Sequence, residues 1–78
     1  MKVRVLVSLK PGVLDAQGRA IEHALKDLGY ADVQGVRTGK QIVLDLATDD
    51  AEQARALVRE LCEKLLANPV IEQYEILV

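Results

Sequence analysis

K-V-R-V-L-V-S-L-K-P-G, Lys2 to Gly12, is the stretch that decides the fold. Val3, Val5, Val7 and Leu9 fall on one side of an extended chain, and Lys2, Arg4 and Ser8 on the other. That is the two-residue period of a half-buried strand rich in β-branched side chains. Lys10-Pro11-Gly12 ends it, because proline has no N–H for the ladder and glycine permits a turn. Asp15 is placed to cap a helix running to about Leu28, with Gly29 just past its end. Ala20, Ile21, Ala24, Leu25 and Leu28 form the apolar stripe of that helix; Arg19, Glu22, His23 and Lys26 lie on its wet side.

Further along, Ala31 to Thr38 predicts a weaker second strand, with Gly35 marking a bulge. Thr38-Gly39-Lys40 reads as a hairpin turn into a third strand, Gln41 to Ala47, with Ile42, Leu44 and Leu46 on one face. Thr48-Asp49-Asp50 opens a second helix, in which Asp49 and Glu52 have capping-box spacing. Ala54, Leu57, Val58, Leu61, Cys62, Leu65 and Leu66 make its stripe, and Asn68-Pro69 stops it. Val70 to Val78 is the last strand, with Tyr74, Ile76 and Val78 on a common face.

The order βαββαβ predicts a single α+β domain over residues 1–78. Its simplest packing is a ferredoxin-like, four-stranded antiparallel sheet with both helices on one face. Right-handed crossovers then put the first and third strands in the centre. In that topology the loops Lys10–Gly12, Thr38–Lys40 and Ala67–Pro69 emerge at the same end of the sheet and form one rim.

Half of the 78 residues are hydrophobic, enough for a packed core. A chain this small buries only roughly 60–65% of its unfolded surface, so it gains stability from any interface it can form. Leu6, Val43 and Leu77 lie opposite the core-facing sets of their strands, among Lys2, Arg4, Gln41, Asp45 and Glu75. Three apolar residues on neighbouring strands predict a patch covered by another copy: a homo-oligomer built on twofold dimers. Ten basic against twelve acidic residues give no electrostatic attraction to nucleic acid. The sheet also lacks the aromatic rings that stack bases. A lone cysteine makes no internal disulfide, and no apolar run approaches signal-peptide or membrane-spanning length, so the expected compartment is the cytoplasm, with no membrane partner.

Candidate chemistry is sparse. Cys62 sits within an apolar helical stripe and reads as an inert interior thiol. His23 lies on a polar helix face without a nucleophile or carboxylate constellation, and one Cys with one His cannot build a structural zinc site. Lys10-Pro11-Gly12 and Gly39-Lys40 match no phosphate-binding loop and read as turn glycines beside exposed lysines. On a shared rim, Lys10, Arg37 and Lys40 suit an acidic partner surface or an anion. An ACT-like small-molecule sensor shares the strand order, the oligomeric habit and a glycine-bearing loop after the first strand, and stays open.

L-K-P-G-V-L-D-A-Q-G (Leu9–Gly18), V-R-T-G-K (Val36–Lys40) and above all C-E-K-L-L-A-N-P-V-I-E-Q-Y (Cys62–Tyr74) closely resemble the PurS family, the small subunits of phosphoribosylformylglycinamidine (FGAM) synthase. The likeness covers essentially the whole chain. It departs at Ala16, where family members often carry a proline that would stiffen the first helical turn. The resemblance implies a non-catalytic assembly subunit that joins a PurL synthetase subunit to a PurQ glutaminase subunit and assists ammonia transfer. The holoenzyme makes FGAM, glutamate, ADP and phosphate from formylglycinamide ribonucleotide (FGAR), glutamine and ATP. It also implies that this subunit holds no cofactor or metal, ATP and magnesium being bound by the synthetase. Together with the rim, it points to partner docking through Lys10, Pro11, Gly12, Asp15, Gln17, Arg37, Gly39, Lys40, Asn68 and Pro69.

Overall fold

The strand β1, Lys2–Leu9, lies at the centre of a three-stranded antiparallel sheet in a computed structural model describing residues 1–78. It is flanked by β2 (Gly39–Asp45) and β3 (Glu72–Leu77), in the order β2-β1-β3. Register fixes the two faces. Val3 stands opposite Leu44, while Val5 is opposite both Ile42 and Ile76, and Val7 is opposite Tyr74. These residues form the covered face. Beyond the end of the ladder, Met1 and Leu46 exchange backbone hydrogen bonds of 2.8 Å, closing the sheet there.

One helix covers that face. In α2 (Ala51–Leu61), Ala54, Val58 and then Cys62 recur every fourth residue and are fully buried against Val3, Val5 and Val7, with Ala67 completing the core. At Cys62 the helix widens into a single π turn, Cys62–Leu66, closed by the Ala67 N–H donating to the Cys62 carbonyl at 3.1 Å. The cap is Asp50, whose carboxylate accepts the Glu52 N–H; the Asp49 and Glu52 capping box expected from spacing is not used.

The other helix, α1 (Ala16–Asp27), corrects the expectation of two helices on one face. It has no strand or helix packed along it, and within it only Gly18 is buried. Its cap is as expected: Asp15 accepts the Gly18 N–H at 2.8 Å, and Gly29, at φ 96°, follows the last turn.

The four-stranded sheet is likewise corrected to three strands within the chain. Residues 33–38 run without a ladder partner, so the expected strand over Ala31–Thr38, its Gly35 bulge and the Thr38–Lys40 hairpin do not form. One cause is visible: Thr38 is tied to Asp15 rather than folded back along β2 (N–H to carboxylate 2.6 Å). Consequently the expected third strand is the edge strand β2, not a central one.

Candidate functional site

Ser8 pairs with Gly39 and Leu9 with Glu72, so the starts of β2 and β3 flank the end of β1. The three loop segments therefore meet at one end of the sheet, as expected, although no hairpin delivers them. Their joints are specific. The Lys10 N–H donates to the Ile71 carbonyl at 2.8 Å, and the Lys10 ammonium reaches the Pro69 carbonyl at 2.7 Å. Asn68 builds the second loop: its side-chain oxygen accepts the Val70 N–H, its carbonyl accepts the N–H groups of Ile71 and Glu72, and its own N–H donates to the Glu72 carboxylate. This closed turn presents Val70, 78% exposed, at its tip.

Asp15 lies at the heart of the rim's third corner, with 3% of its surface exposed. Its carboxylate accepts the backbone N–H of Thr38 and of Gly18, and the Thr38 hydroxyl stands 2.9 and 3.0 Å from its two oxygens. Those donors, the Thr38 N–H foremost, hold the carboxyl below the usual carboxylate range against the opposing effect of burial. Beside it the Arg37 guanidinium donates to the carbonyls of Val13 (2.9 Å) and Lys10 (3.0 Å), with that of Leu9 at 3.5 Å. Arg37 thus braces the loop after β1, and Asp15 staples that loop to the strand that follows. Both are structural posts.

Of the ten residues singled out for docking, only Asp15 is buried; Lys10, Pro11, Gly12, Gln17, Arg37, Gly39, Lys40, Asn68 and Pro69 are exposed, and Lys40 makes no side-chain hydrogen bond. Gly39 presses its backbone on β1, where a Cβ would stand 2.7 Å from the Val7 carbonyl. Ser8, Lys40, Gln41, Gln73 and Glu75, together with Leu6 and Tyr74, line an open groove of about 600 Å³ between this rim and the uncovered sheet face. On that face Leu6, Val43 and Leu77 do lie together, but Val43 and Leu77 flank Arg4, and Leu6 sits between Gln41 and Glu75. It is a chequered surface, not a continuous apolar patch.

Sequence reasoning passed over Gly18. A Cβ there would run into the Val36 carbonyl and the Asp15 carboxylate, so α1 starts in close contact with the segment leading into β2. A glycine in the first turn of an otherwise good helix was the available signal. It also passed over Tyr74, whose hydroxyl donates to Glu63 at 2.8 Å; that bond pushes the phenol pKa up. Cys62 is buried as expected, and burial raises its thiol pKa, keeping it protonated and unreactive at neutral pH. No group of three or more potential metal ligands exists, and no helix is long and apolar enough to cross a membrane.

The family model for PurS, phosphoribosylformylglycinamidine (FGAM) synthase, matches residues 2–78. The chain belongs to the PurS family. The PurS subunit of this synthase from Bacillus subtilis is 53% identical over 73 residues, spanning 94% of this chain and 86% of its own length. The crystal structure of Methanocaldococcus jannaschii PurS, titled as one of the subunits of formylglycinamide ribonucleotide amidotransferase in the purine biosynthetic pathway, superposes with a TM-score of 0.89 at 45% identity, covering 97% of this chain and 92% of that one. A chain in the structure of PurLQS from Thermotoga maritima superposes at 0.88 with 36% identity, covering 97% and 93%. As a PurS chain, this protein is a subunit of FGAM synthase, a ligase of purine biosynthesis, and its fold matches solved PurS subunits over nearly its full length.

Proposed function

We propose that this PurS subunit carries out none of the ligase chemistry itself and acts as the adapter that sets the PurL synthetase and PurQ glutaminase subunits in register. Glutamine-derived ammonia then passes between them for the ATP-dependent conversion of FGAR to FGAM. The observation that carries this reading is the rim: three distant segments are locked together by backbone and buried polar bonds, yet display exposed Lys40, Gln17 and Pro69. Such a rigid, solvent-facing edge suits docking, because little order remains to be imposed when a partner binds. The chain offers no nucleophile–base pair, so ATP and magnesium are assigned to the synthetase and no cofactor to this subunit. The cytoplasm is assigned as its compartment. An ACT-like sensor is disfavoured by the family and by the PurLQS relative.

The test is Lys10→Glu with Lys40→Glu in the reconstituted three-subunit complex. Glutamine-dependent activity should be lost, while activity with free ammonia falls less. Unchanged glutamine-dependent turnover would remove the rim from the docking surface.

Self-association belongs to the same reading. A chain with such a small core needs a second copy, and two of its surfaces compete for that role: the sheet face carrying Leu6, Val43 and Leu77, and the unpacked helix α1. The second strand expected over Ala31–Thr38 finds no ladder partner in this chain and would have to find it in another.

A further inference from the structure

Leu65 belongs by spacing to the apolar stripe of α2 and by structure to the surface. It follows Val58 by close to two helical turns, so an unbroken α-helix would seat it on the buried row. Instead it is 79% exposed. The π turn Cys62–Leu66 is the cause. Its extra residue hands the buried position after Cys62 to Ala67 and rotates Leu65 off the row. The widened turn is also held from the sheet, where Tyr74, packed against the core, donates its hydroxyl to the Glu63 carboxylate at 2.8 Å. Single π turns of this kind interrupt regular helical bonding and concentrate at functional positions.

Beyond Leu65 the chain turns through Asn68-Pro69 and presents Val70, at the tip, and Ile71, 40% exposed. Three apolar side chains therefore face solvent on a short segment whose shape is already fixed by the hydrogen bonds of Asn68 to Val70, Ile71 and Glu72. The charges around it are mostly engaged within the chain. Glu72 accepts the Asn68 N–H, Glu63 accepts the Tyr74 hydroxyl, and Lys64 pairs with Glu60 at 2.7 Å. Lys10 is the exception: its ammonium rests on the neutral Pro69 carbonyl and has no carboxylate partner. A partner thus meets an apolar tip with one uncompensated positive charge at its base.

We infer that Leu65, Val70 and Ile71 form a knob that seats in an apolar socket on the glutaminase subunit, with a carboxylate at the socket's edge meeting Lys10. Two observations select this occupant. The knob is continuous with the rim through Lys10 and Pro69, and the rim is the surface assigned above to coupling glutamine use. A chain of this fold also stands in the PurLQS structure from Thermotoga maritima, so partners of different sequence are at hand. The inference rests on the docking role of the rim and adds to it the apolar anchor that a polar edge lacks. Interface affinity concentrates in such buried anchors, while the polar surround sets orientation.

The reconstituted three-subunit complex tests it with Leu65→Asp and Val70→Asp, both at exposed positions where thermal melting should stay unchanged. Each should weaken glutaminase binding to the pair formed by this subunit and the synthetase by more than about tenfold, read by sedimentation. Glutamine-dependent turnover at limiting glutaminase should fall with it, and turnover with free ammonia should hold. Leu65→Met and Val70→Ile should bind as the wild type does. Should Leu65→Asp melt early, Val70→Asp on the surface turn decides alone. Normal glutaminase binding by the knob variants, with binding lost in Lys10→Glu, Lys40→Glu, would overturn the knob and leave the rim standing. Normal binding by all of them would sink the rim reading itself. Loss of the synthetase with the glutaminase retained, or altered sedimentation of this subunit alone, would overturn the assignment by making the synthetase or a second copy the occupant.

Discussion

Thr38 donates its backbone N–H to the Asp15 carboxylate at 2.6 Å across 23 residues of sequence, and its hydroxyl reaches both oxygens of the same group. The residue that caps α1 is therefore also the residue that anchors the approach to β2. Helix direction, loop position and rim geometry depend on one buried anion.

The pH dependence of stability should follow from that anion. The folded-state pKa of Asp15 is lowered from the ordinary 3.8, first by the Thr38 N–H and then by that of Gly18. A depressed carboxylate pKa stabilises the fold above the unfolded-state value, and that contribution is lost as pH falls through the folded-state value. Urea midpoints measured from pH 7 to pH 2 should fall progressively below about pH 4. Asp15→Asn should be less stable at pH 7 and lose part of that acid slope. An unchanged slope in the variant would show that other carboxylates govern it.

Gly18 and Gly35 should respond oppositely to alanine. At Gly18 a Cβ meets the Val36 carbonyl and the Asp15 carboxylate, so the clash must move the strand approach or the staple. A loss of about 2 kcal/mol is expected, despite alanine's better helix propensity. Gly35 has nothing within 4 Å and no positive φ, so Gly35→Ala should stay within about 0.5 kcal/mol. Thermal melts of the two variants make the comparison.

Arg37 braces three carbonyls with a planar fork that a lysine cannot reproduce. Arg37→Lys and Arg37→Ala should therefore destabilise similarly, by about 1 kcal/mol. Faster amide exchange should appear in the loop after β1. Full rescue by lysine would mean that the charge matters more than the geometry.

Cys62 should resist thiol reagents in the native state and react only on unfolding, since it is fully buried with its pKa raised. Val58→Ala, in the same row, should cost about 2 kcal/mol through lost burial and the cavity left behind. Rapid labelling of the native thiol would indicate that the π turn opens readily.

The alternation of Val3, Val5 and Val7, the cap at Asp15, the stop at Asn68-Pro69 and the wet side of α1 are all local properties, and they were legible in the sequence because period and turn chemistry depend only on near neighbours. The meeting of three loops at one rim was legible too, because strand direction alone carries it. Family membership was equally readable from Cys62–Tyr74. The bond from Thr38 to Asp15 and the role of Arg37 were not: in a one-dimensional reading Asp15 is only a helix cap and Arg37 a free charge, and only the approach of residues 36–38 turns them into structural posts. The same limit applies to Ile21, Leu25 and Leu28. Their spacing states that one face of α1 needs burial, whereas the direction fixed by Asp15, Thr38 and Gly18 carries that face away from the chain's own sheet. An apolar stripe records a demand for a neighbour, and only the tertiary structure decides which surface, in which molecule, supplies it.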